Sequence, residues 1–338
     1  MVPTSSFTAP AVPAADPAWI TRLSHLLSSR DGGPLAGRRF AVKDNIDVAG
    51  VPTTAACPAF AYLPSRHATV VQRLLDAGAQ LLGKTNLDQF ACGLNGTRSP
   101  YGAVPNAFNP AYVCGGSSSG SAWVVAKGEA DFSLGTDTAG SGRVPAGLNN
   151  IVGLKPSRGL ISTHGVLPAA QSVDCVSIFT RTVPQAVQVL HAAMGFDPQD
   201  AGSRKLSLAR QPFAARLRVG VPAYLSFCGA TQAEAAFKAA LTRMRALGAE
   251  TVDVDFGPLS EAASLLYESA LVAERHAAIR DFFDAHEDRV IEPVRSIIAS
   301  ARHYTATDVF EAQARLRALA QRVAPMWERI DVLLVPTA

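Results

Sequence analysis

The sequence lacks the features that mark membrane, secreted and nucleic-acid-binding proteins. Its 338 residues contain no apolar stretch of the roughly 18 residues that a transmembrane helix needs, so we expect no membrane span. No run of Lys and Arg exceeds two residues and the formal net charge is only +3, which argues against a nucleic-acid partner. Residues 1–17 lack the basic and apolar segments of a signal peptide, and their Pro, Ala, Ser and Thr content predicts a disordered tail.

Cysteine is scarce, and its spacing fits no disulfide framework or redox motif. An odd number of cysteines without a CxxC pair predicts reduced, mostly buried thiols in a cytoplasmic protein: Cys57, Cys92, Cys114, Cys175 and Cys228. Cys114 adjoins a glycine-rich segment, but a thiol without a neighbouring base is a poor nucleophile. We expect neither a metal site nor a cofactor.

The glycine-rich segments of this chain do not fit the histidine-based and phosphate-binding sites of many α/β enzymes. No GxSxG elbow appears in a strand-to-helix context. The two Gly- and Ser-rich segments, at 115–121 and 135–143, lack GxxxxGK[ST], and neither matches GxGxxG after a strand. They lie between apolar elements rather than between domains. Neither contains a histidine. The nearest, His164, is expected to be a structural loop residue, although a Ser-His-Asp triad stays open.

Hydrophobic periodicity predicts alternating strands and helices. A strand is expected at 39–42, a helix over 68–77 and a strand–helix–strand unit between 217 and 256. Further helices are expected over 18–30 and through most of 259–329. Repeated strand–helix–strand units predict an α/β fold with parallel strand pairs covered by helices.

Lysine is the remaining candidate base for a catalytic serine. A serine hydroxyl needs a base, and a lysine whose pKa is lowered by burial supplies a neutral amine near pH 7. Lys43 directly follows the apolar residues of a predicted strand, which favours a buried side chain; a surface lysine at a strand end is the alternative. The turn in segment 135–143 can present successive N–H groups to an oxyanion, or alternatively to a phosphate.

These residues resemble the amidase signature family. The resemblance is dense between residues 36 and 184, and it rests on Val42-Lys43-Asp44-Asn45, Gly83-Lys84-Thr85-Asn86 and the two glycine-rich segments. It implies a large mixed sheet covered by helices on both faces, in one amidase domain over 18–338.

The same resemblance implies a Ser-cisSer-Lys triad. Ser141 would be the nucleophile, Ser117 the bridging serine after a cis peptide bond, and Lys43 the base. The oxyanion would be held by the backbone N–H groups of Thr138, Ala139 and Gly140.

Within the family, the residues around Ser141 are similar to those of allophanate hydrolases. Residues 139–143 are Ala-Gly-Ser-Gly-Arg, where most members have Gly-Gly-Ser-Ile-Arg. Segments 149–156 and 172–179 carry the same resemblance. The implied activity is the hydrolysis of allophanate, a small anion of urea degradation, with release of ammonia.

An anionic substrate calls for a fixed cation and a hydrogen-bond donor. The resemblance assigns these roles to Tyr267 and Arg275, which are eight residues apart on a helix predicted over 265–280. Arg143 is a second candidate cation, or alternatively a structural anchor of its loop.

Other functions are weighed against this one. A broader amidase for small carboxamides is the main alternative, and a tRNA-linked amidotransferase component is disfavoured by the near-neutral charge. A non-catalytic binding module is disfavoured because all three triad positions are occupied. Family analogy implies a homodimer, and the strand-like run at 332–335, close to the last residue, suggests an incomplete chain that a further domain would follow.

Overall fold

The computed structural model describes residues 16–209, 213 and 216–338. The chain divides into two compact units: the first runs up to Leu206 and includes Glu274–Ala299, and the second comprises Ser207–Ala273 and Ser300–Ala338. The predicted disordered tail lies outside the described residues except for Asp16 and Pro17. The assignment of 18–338 to one amidase domain stays a prediction.

A six-stranded mixed sheet forms the centre of the first unit. Its strands are β1 (Trp19–Leu27), β2 (Arg39–Lys43), β3 (Gln80–Thr85), β4 (Phe132–Asp137), β5 (Val152–Leu154) and β6 (Cys175–Thr180). They are ordered β1-β3-β2-β4-β6-β5. The central strand β2 is parallel to β3 and β4, whereas β1 and β6 pair antiparallel with β3 and β4. The predicted α/β class with parallel strand pairs is confirmed.

Ten helices accompany the strands in the part of the chain that the structure describes. In chain order they are α1 (Thr69–Asp76), α2 (Ser119–Ala126), α3 (Val144–Leu148), α4 (Val183–Ala193), α5 (Thr231–Ala246), α6 (Gly257–Glu268), α7 (Ala273–His286), α8 (Val294–Ala299), α9 (Ala306–Val323) and α10 (Met326–Arg329). No described helix has the length and apolarity that crossing a membrane requires.

Helices cover the two faces of strand β4, all six residues of which are buried. Phe132 stacks on Phe40 of β2 at 5.2 Å between ring centroids and lines a small cavity together with Val189 of α4. The next residue, Ser133, points the other way and donates a hydrogen bond to the carbonyl of Ser121 in α2 at 2.7 Å. Because side chains alternate along a strand, α4 covers one face and α2 the other.

The predicted helix over 18–30 is wrong, since this segment contains strand β1. Trp19 and Ile20 are buried, and Trp19 pairs with Thr85 in an antiparallel ladder along β3. The spacing of Ile20, Leu23 and Leu27 suits a helix face, but β3 would otherwise leave its edge unpaired. Long-range strand pairing therefore overrides the local pattern.

The single helix predicted over 265–280 is also wrong. Helix α6 ends at Glu268, and Ser269 is extended with φ −140° and ψ 178°. Its hydroxyl caps the 3-10 turn Ala270–Val272 by accepting a hydrogen bond from the N–H of Leu271. Tyr267 and Arg275 thus lie on separate helices, the first in the second unit and the other in the first unit.

The second unit contains a three-stranded parallel sheet, β8-β7-β9, formed by Arg218–Pro222 (β7), Glu250–Val254 (β8) and Val332–Leu333 (β9). Helix α5 connects β7 to β8, as the sequence predicts. A capping box in which Thr305 and Asp308 each satisfy the other's backbone N–H starts α9. Arg315 of that helix pairs with Glu261 of α6 at 2.8 Å.

Candidate active site

Lys43 ends strand β2 with its side chain fully buried. Its Nζ donates hydrogen bonds to Ser117 Oγ at 2.7 Å and to Thr136 Oγ1 at 2.8 Å. Burial lowers the pKa of Lys43 to about 7. The nearby carboxylates of Asp88, Asp174 and Asp137 oppose this shift, and the guanidinium of Arg275 adds to it. The amine is therefore substantially neutral at physiological pH.

Ser117 is held in a tightly packed loop before α2. The peptide bond between Gly116 and Ser117 is cis. A Cβ added to Gly116 would lie 2.1 Å from Asp88 Oδ2, so only glycine fits at this position. The Ser117 carbonyl accepts a hydrogen bond from the backbone N–H of Asp88 at 3.0 Å, and Ser118 Oγ donates to the Thr136 carbonyl at 3.1 Å. These contacts fix Ser117 against strand β4.

The loop between β4 and α3 is organised around the carboxylate of Asp137. Oδ1 accepts the N–H of Gly140 at 2.8 Å, and Oδ2 accepts the N–H of Gly142 at 3.0 Å. Arg143 adds two hydrogen bonds, at 2.9 and 2.8 Å. Although burial alone would raise the pKa of Asp137, the Arg143 hydrogen bonds and charge hold it below its ordinary value. Ser141 lies within this loop and is 3% exposed.

These bonds bear on two sequence predictions. Arg143 is a structural anchor of the loop, which was one of its two predicted roles; its part in substrate binding stays a prediction. The N–H of Gly140 is engaged by Asp137 and is not available to an oxyanion in this arrangement. The N–H groups of Thr138 and Ala139 remain the predicted donors, while the Thr138 hydroxyl donates to Asp174 Oδ1 at 2.5 Å.

Sequence inspection missed the hydroxyl of Thr136. It accepts hydrogen bonds from Lys43 and, at 3.4 Å, from the side-chain amide of Asn45. Both Thr136 and Asn45 belong to the quoted motifs, but their contact follows from the parallel pairing of β2 with β4, in which Val42 lies opposite Leu134. A sequence-based pairing of these two strands would have brought them together.

The two predicted substrate-binding residues differ in their surroundings. Arg275 of α7 is only 3% exposed, and its charge adds to the lowering of the Lys43 pKa that burial causes, so it belongs to the electrostatic environment of the site. Tyr267 of α6 is 37% exposed. The substrate-binding roles of both residues stay predictions.

A second buried lysine lies on the neighbouring strand. Lys84 Nζ lies 3.0 Å from Asp44 Oδ1, and both side chains are fully buried. The ammonium also donates to Thr53 Oγ1 at 2.6 Å and to the Pro52 carbonyl at 3.0 Å. Asp44 in turn accepts hydrogen bonds from the N–H and hydroxyl of Thr54. Lys84 is a structural residue of an ion pair.

The cysteines lie as the sequence predicts. Four thiols are buried and that of Cys228 is exposed, and all are free. Burial raises the pKa of Cys114 to about 12, so this thiol is a poor nucleophile beside the glycine segment. Among the described residues, no cluster of three or more His, Cys, Asp or Glu side chains is arranged to hold a metal ion.

Comparison with known proteins gives a consistent family. The family model described as Amidase matches residues 14–338 of this chain. The urea amidolyase of Saccharomyces cerevisiae is 46% identical over 341 aligned positions, which cover 96% of this chain and 19% of that protein. A glutamyl-tRNA(Gln) amidotransferase component of Haloarcula marismortui is 40% identical over 254 positions, 72% of this chain and 60% of that protein.

A solved structure shares the fold over nearly the whole chain. The Kluyveromyces lactis allophanate hydrolase is 44% identical with a TM-score of 0.90, and the match covers 96% of this chain and 55% of that one. The chain spans about a fifth of the length of the urea amidolyases it matches. The predicted fold class is confirmed, and the chain belongs to the amidase family.

Proposed function

We propose that this chain hydrolyses allophanate (urea-1-carboxylate) with release of ammonia, through a Ser-cisSer-Lys mechanism. Relatives at 46% and 44% identity are named urea amidolyase and allophanate hydrolase, which supports the substrate. The observation that carries the mechanism is the fully buried Lys43, hydrogen-bonded to Ser117 at 2.7 Å with its pKa lowered to about 7. A lysine in this state is a base near physiological pH.

In the proposed first step, Ser141 attacks the terminal carbamoyl carbon of allophanate. The Ser141 hydroxyl proton passes to Ser117 Oγ as the Ser117 proton passes to the lone pair of neutral Lys43. Thr136 Oγ1 keeps the amine in place by accepting a hydrogen bond from one of its N–H groups. The same relay in reverse delivers the proton to the leaving nitrogen, so ammonia departs and an N-carboxycarbamoyl ester of Ser141 remains.

Water then attacks the ester, again with Lys43 and Ser117 as base. The C–O bond to Ser141 breaks, Ser141 recovers its proton, and N-carboxycarbamate is released, which decomposes to two molecules of carbon dioxide and a second ammonia. The oxyanion of both steps would be stabilised by the N–H groups of Thr138 and Ala139.

The substrate carboxylate needs a cation. Arg275 is our first candidate because it is buried and electrostatically coupled to Lys43. Tyr267 would add a hydrogen bond, and Arg143, half exposed at the nucleophile loop, is the second candidate cation. A bidentate guanidinium–carboxylate pair would fix the terminal carbamoyl group relative to Ser141.

The test is ammonia release from allophanate by the wild type and by Ser141→Ala. We expect turnover by the wild type and a loss of at least about 10³-fold in the variant, since the remaining groups provide only binding and oxyanion stabilisation. Thr242→Val, which removes an exposed hydroxyl bonded to the Lys238 carbonyl in α5, is the control and should keep full activity. Undiminished release by Ser141→Ala would refute the mechanism.

A substrate panel separates this proposal from a broader carboxamide amidase. Allophanate, malonamate, biuret and an aliphatic amide are compared at equal concentration with the wild type and Arg275→Met. We expect allophanate to be preferred, and Arg275→Met to raise KM for allophanate and malonamate but not for the neutral amides. Equal use of all four substrates would favour the broader amidase, and tRNA-dependent activity with a partner protein would favour the amidotransferase.

We also propose a cytoplasmic homodimer without a membrane or nucleic-acid partner. Light scattering of the purified protein should give twice the mass of the chain. A monomer at all concentrations would contradict the dimer.

A further inference from the structure

Thr138 and Asp174 face each other just beyond the ladder between strands β4 and β6. The last antiparallel pair of that ladder is Asp137 with Cys175, so the next residue of β4's chain lies opposite the residue before β6. The Thr138 hydroxyl donates to Asp174 Oδ1 at 2.5 Å. The loop that holds Ser141 therefore has a second carboxylate contact besides Asp137.

Asp174 is itself rigidly held. Its side chain is 7% exposed, and Oδ2 accepts the N–H groups of Ala169 at 2.7 Å and Ala170 at 3.1 Å. Its backbone N–H donates to the Ala170 carbonyl at 3.0 Å. The carboxylate closes a compact turn over 169–174 and has one oxygen left for Thr138.

The same turn is tied to helix α7. Glu274 accepts hydrogen bonds from both the N–H and the hydroxyl of Ser172, the first at 2.7 Å. Arg158 donates to the Ser172 carbonyl. Because Glu274 immediately precedes Arg275, the turn connects the start of α7, which carries Arg275, with the loop of the nucleophile.

We propose that Asp174 is a positioning residue that orients the oxyanion loop through the hydroxyl of Thr138. The proposal rests on the proposed function in that it assigns the Thr138–Ser141 loop to catalysis. Freed from Asp174, the peptide at Thr138 would rotate, and its N–H would lose its aim at the oxyanion while substrate binding stayed intact. The signature is a lower kcat with little change in KM.

Asp174 also belongs to the charges that face Lys43. Those charges are Asp88, Asp174 and Asp137, which raise the pKa of the lysine, and Arg275, which lowers it. Removing the Asp174 charge therefore shifts the pKa of Lys43 downward. Burial raises the pKa of Asp174, and the hydrogen bond from Thr138 opposes that shift. Removing the Thr138 hydroxyl therefore breaks the same hydrogen bond but keeps a carboxyl group at position 174, whereas Asp174→Asn removes that group altogether.

The experiment compares Thr138→Val, Thr138→Ser and Asp174→Asn with the wild type, using Thr242→Val as the matched control. Allophanate turnover is measured per active site, which is counted by a fluorophosphonate probe that esterifies Ser141, and the rate of that labelling is measured separately. We expect Thr138→Val to lower kcat by about ten- to a hundredfold with KM within about twofold, as misplacement of a catalytic group does. Thr138→Ser should recover most of the rate. Asp174→Asn should lose a similar factor and move the acidic limb of kcat to lower pH, and Thr138→Val, which keeps the carboxyl group, should move that limb less than Asp174→Asn does.

Unchanged kcat and labelling rate in Thr138→Val would overturn the proposal, as would a loss that Thr138→Ser does not recover. If Asp174→Asn does not fold, the two Thr138 variants still decide it. Failure of the wild type to use allophanate while it still reacts with the probe would refute the substrate alone, because the labelling rates then test the positioning role without it.

Discussion

Two fully buried lysines lie on adjacent strands of the same sheet, and their immediate partners differ in charge. Lys43 ends β2 and Lys84 lies in β3, one residue apart in the parallel register. Burial lowers the pKa of both. Lys84 faces Asp44 at 3.0 Å, which opposes the shift, whereas among the described residues the Lys43 amine bonds to the hydroxyls of Ser117 and Thr136.

The comparison teaches that burial alone does not make a lysine a base. A carboxylate in contact stabilises the ammonium, and a structural ion pair results. Hydroxyl groups accept hydrogen bonds from the amine without supplying a full negative charge, so the neutral form remains accessible. The three carboxylates near Lys43 are each engaged by other donors, such as Arg143 at Asp137 and Thr138 at Asp174.

The largest expected effect separates the two lysines by activity. Lys43→Met should lower allophanate turnover by about 10³-fold or more, because the relay from Ser141 loses its base. The measurement is ammonia release per probe-labelled site. Lys84→Met, to the extent that it folds, should retain a rate within about tenfold of the wild type. Equal losses in both variants would mean that the lysines do not differ as described.

The free energy of unfolding should be affected in the opposite order, with the larger loss in Lys84→Met. Lys84→Met leaves Asp44 buried without its cation, and breaking such a pair costs about 3–5 kcal/mol. Lys43→Met removes a buried amine whose hydrogen-bond partners in the described part of the chain are neutral hydroxyls, so the free energy of unfolding should stay the same or rise. Urea denaturation monitored by circular dichroism measures both, and a Lys43→Met enzyme as unstable as Lys84→Met would contradict the assignment.

The pH dependence of activity should follow Lys43. Its pKa in the folded chain is about 7, so the neutral base is lost as the pH falls below 7, and kcat/KM should decline there. In the unfolded chain the lysine titrates near a pKa of about 10.4. Between these values the unfolded state binds more protons, so this residue makes stability increase with pH across that window. A wild type whose stability relative to Lys43→Met is flat from pH 7 to 10 would contradict the lowered pKa.

The smallest expected effect comes from removing the hydroxyl that bonds to each lysine, Thr136 for Lys43 and Thr53 for Lys84. Thr136→Val removes one acceptor of the Lys43 amine, which disfavours the ammonium more than the amine, so the acidic limb of kcat/KM should move to lower pH by about half a unit. Thr53→Val removes the matching hydroxyl of Lys84. Thr53→Val should change the free energy of unfolding by about 1 kcal/mol and leave the acidic limb of kcat/KM at its wild-type pH. A limb that moves equally in both variants would show that the shift is not local to Lys43.

Much of this arrangement could be predicted from the sequence because it resides in contiguous motifs. The strand that places Lys43, the glycine segments with Ser117 and Ser141, and the parallel α/β units all follow from local patterns. The segment that became β1 misled because its apolar spacing suits a helix while the edge of β3 requires a strand. The helix break at Ser269 could not be predicted from the sequence, because no Gly or Pro lies near it.

The parts of the site that the sequence did not disclose are long-range contacts. The hydrogen bond between Lys43 and Thr136 joins residues 93 positions apart in the sequence, and that between Thr138 and Asp174 joins residues 36 positions apart. Nothing in either segment alone indicates its partner, since strand order and register decide which polar side chains meet. The sequence predicts the relay of Ser141, Ser117 and Lys43, and the fold shows the groups that surround Lys43.

The most direct test of the account is the titration of Lys43 itself. Wild-type protein labelled with ¹³C at the lysine ε-carbon is titrated by NMR, and the Lys43 signal is assigned by its disappearance in Lys43→Met. The account predicts a midpoint near pH 7, set apart from the exposed lysines. A Lys43 signal that titrates with the exposed lysines near a pKa of about 10.4 would contradict the assignment of Lys43 as the base.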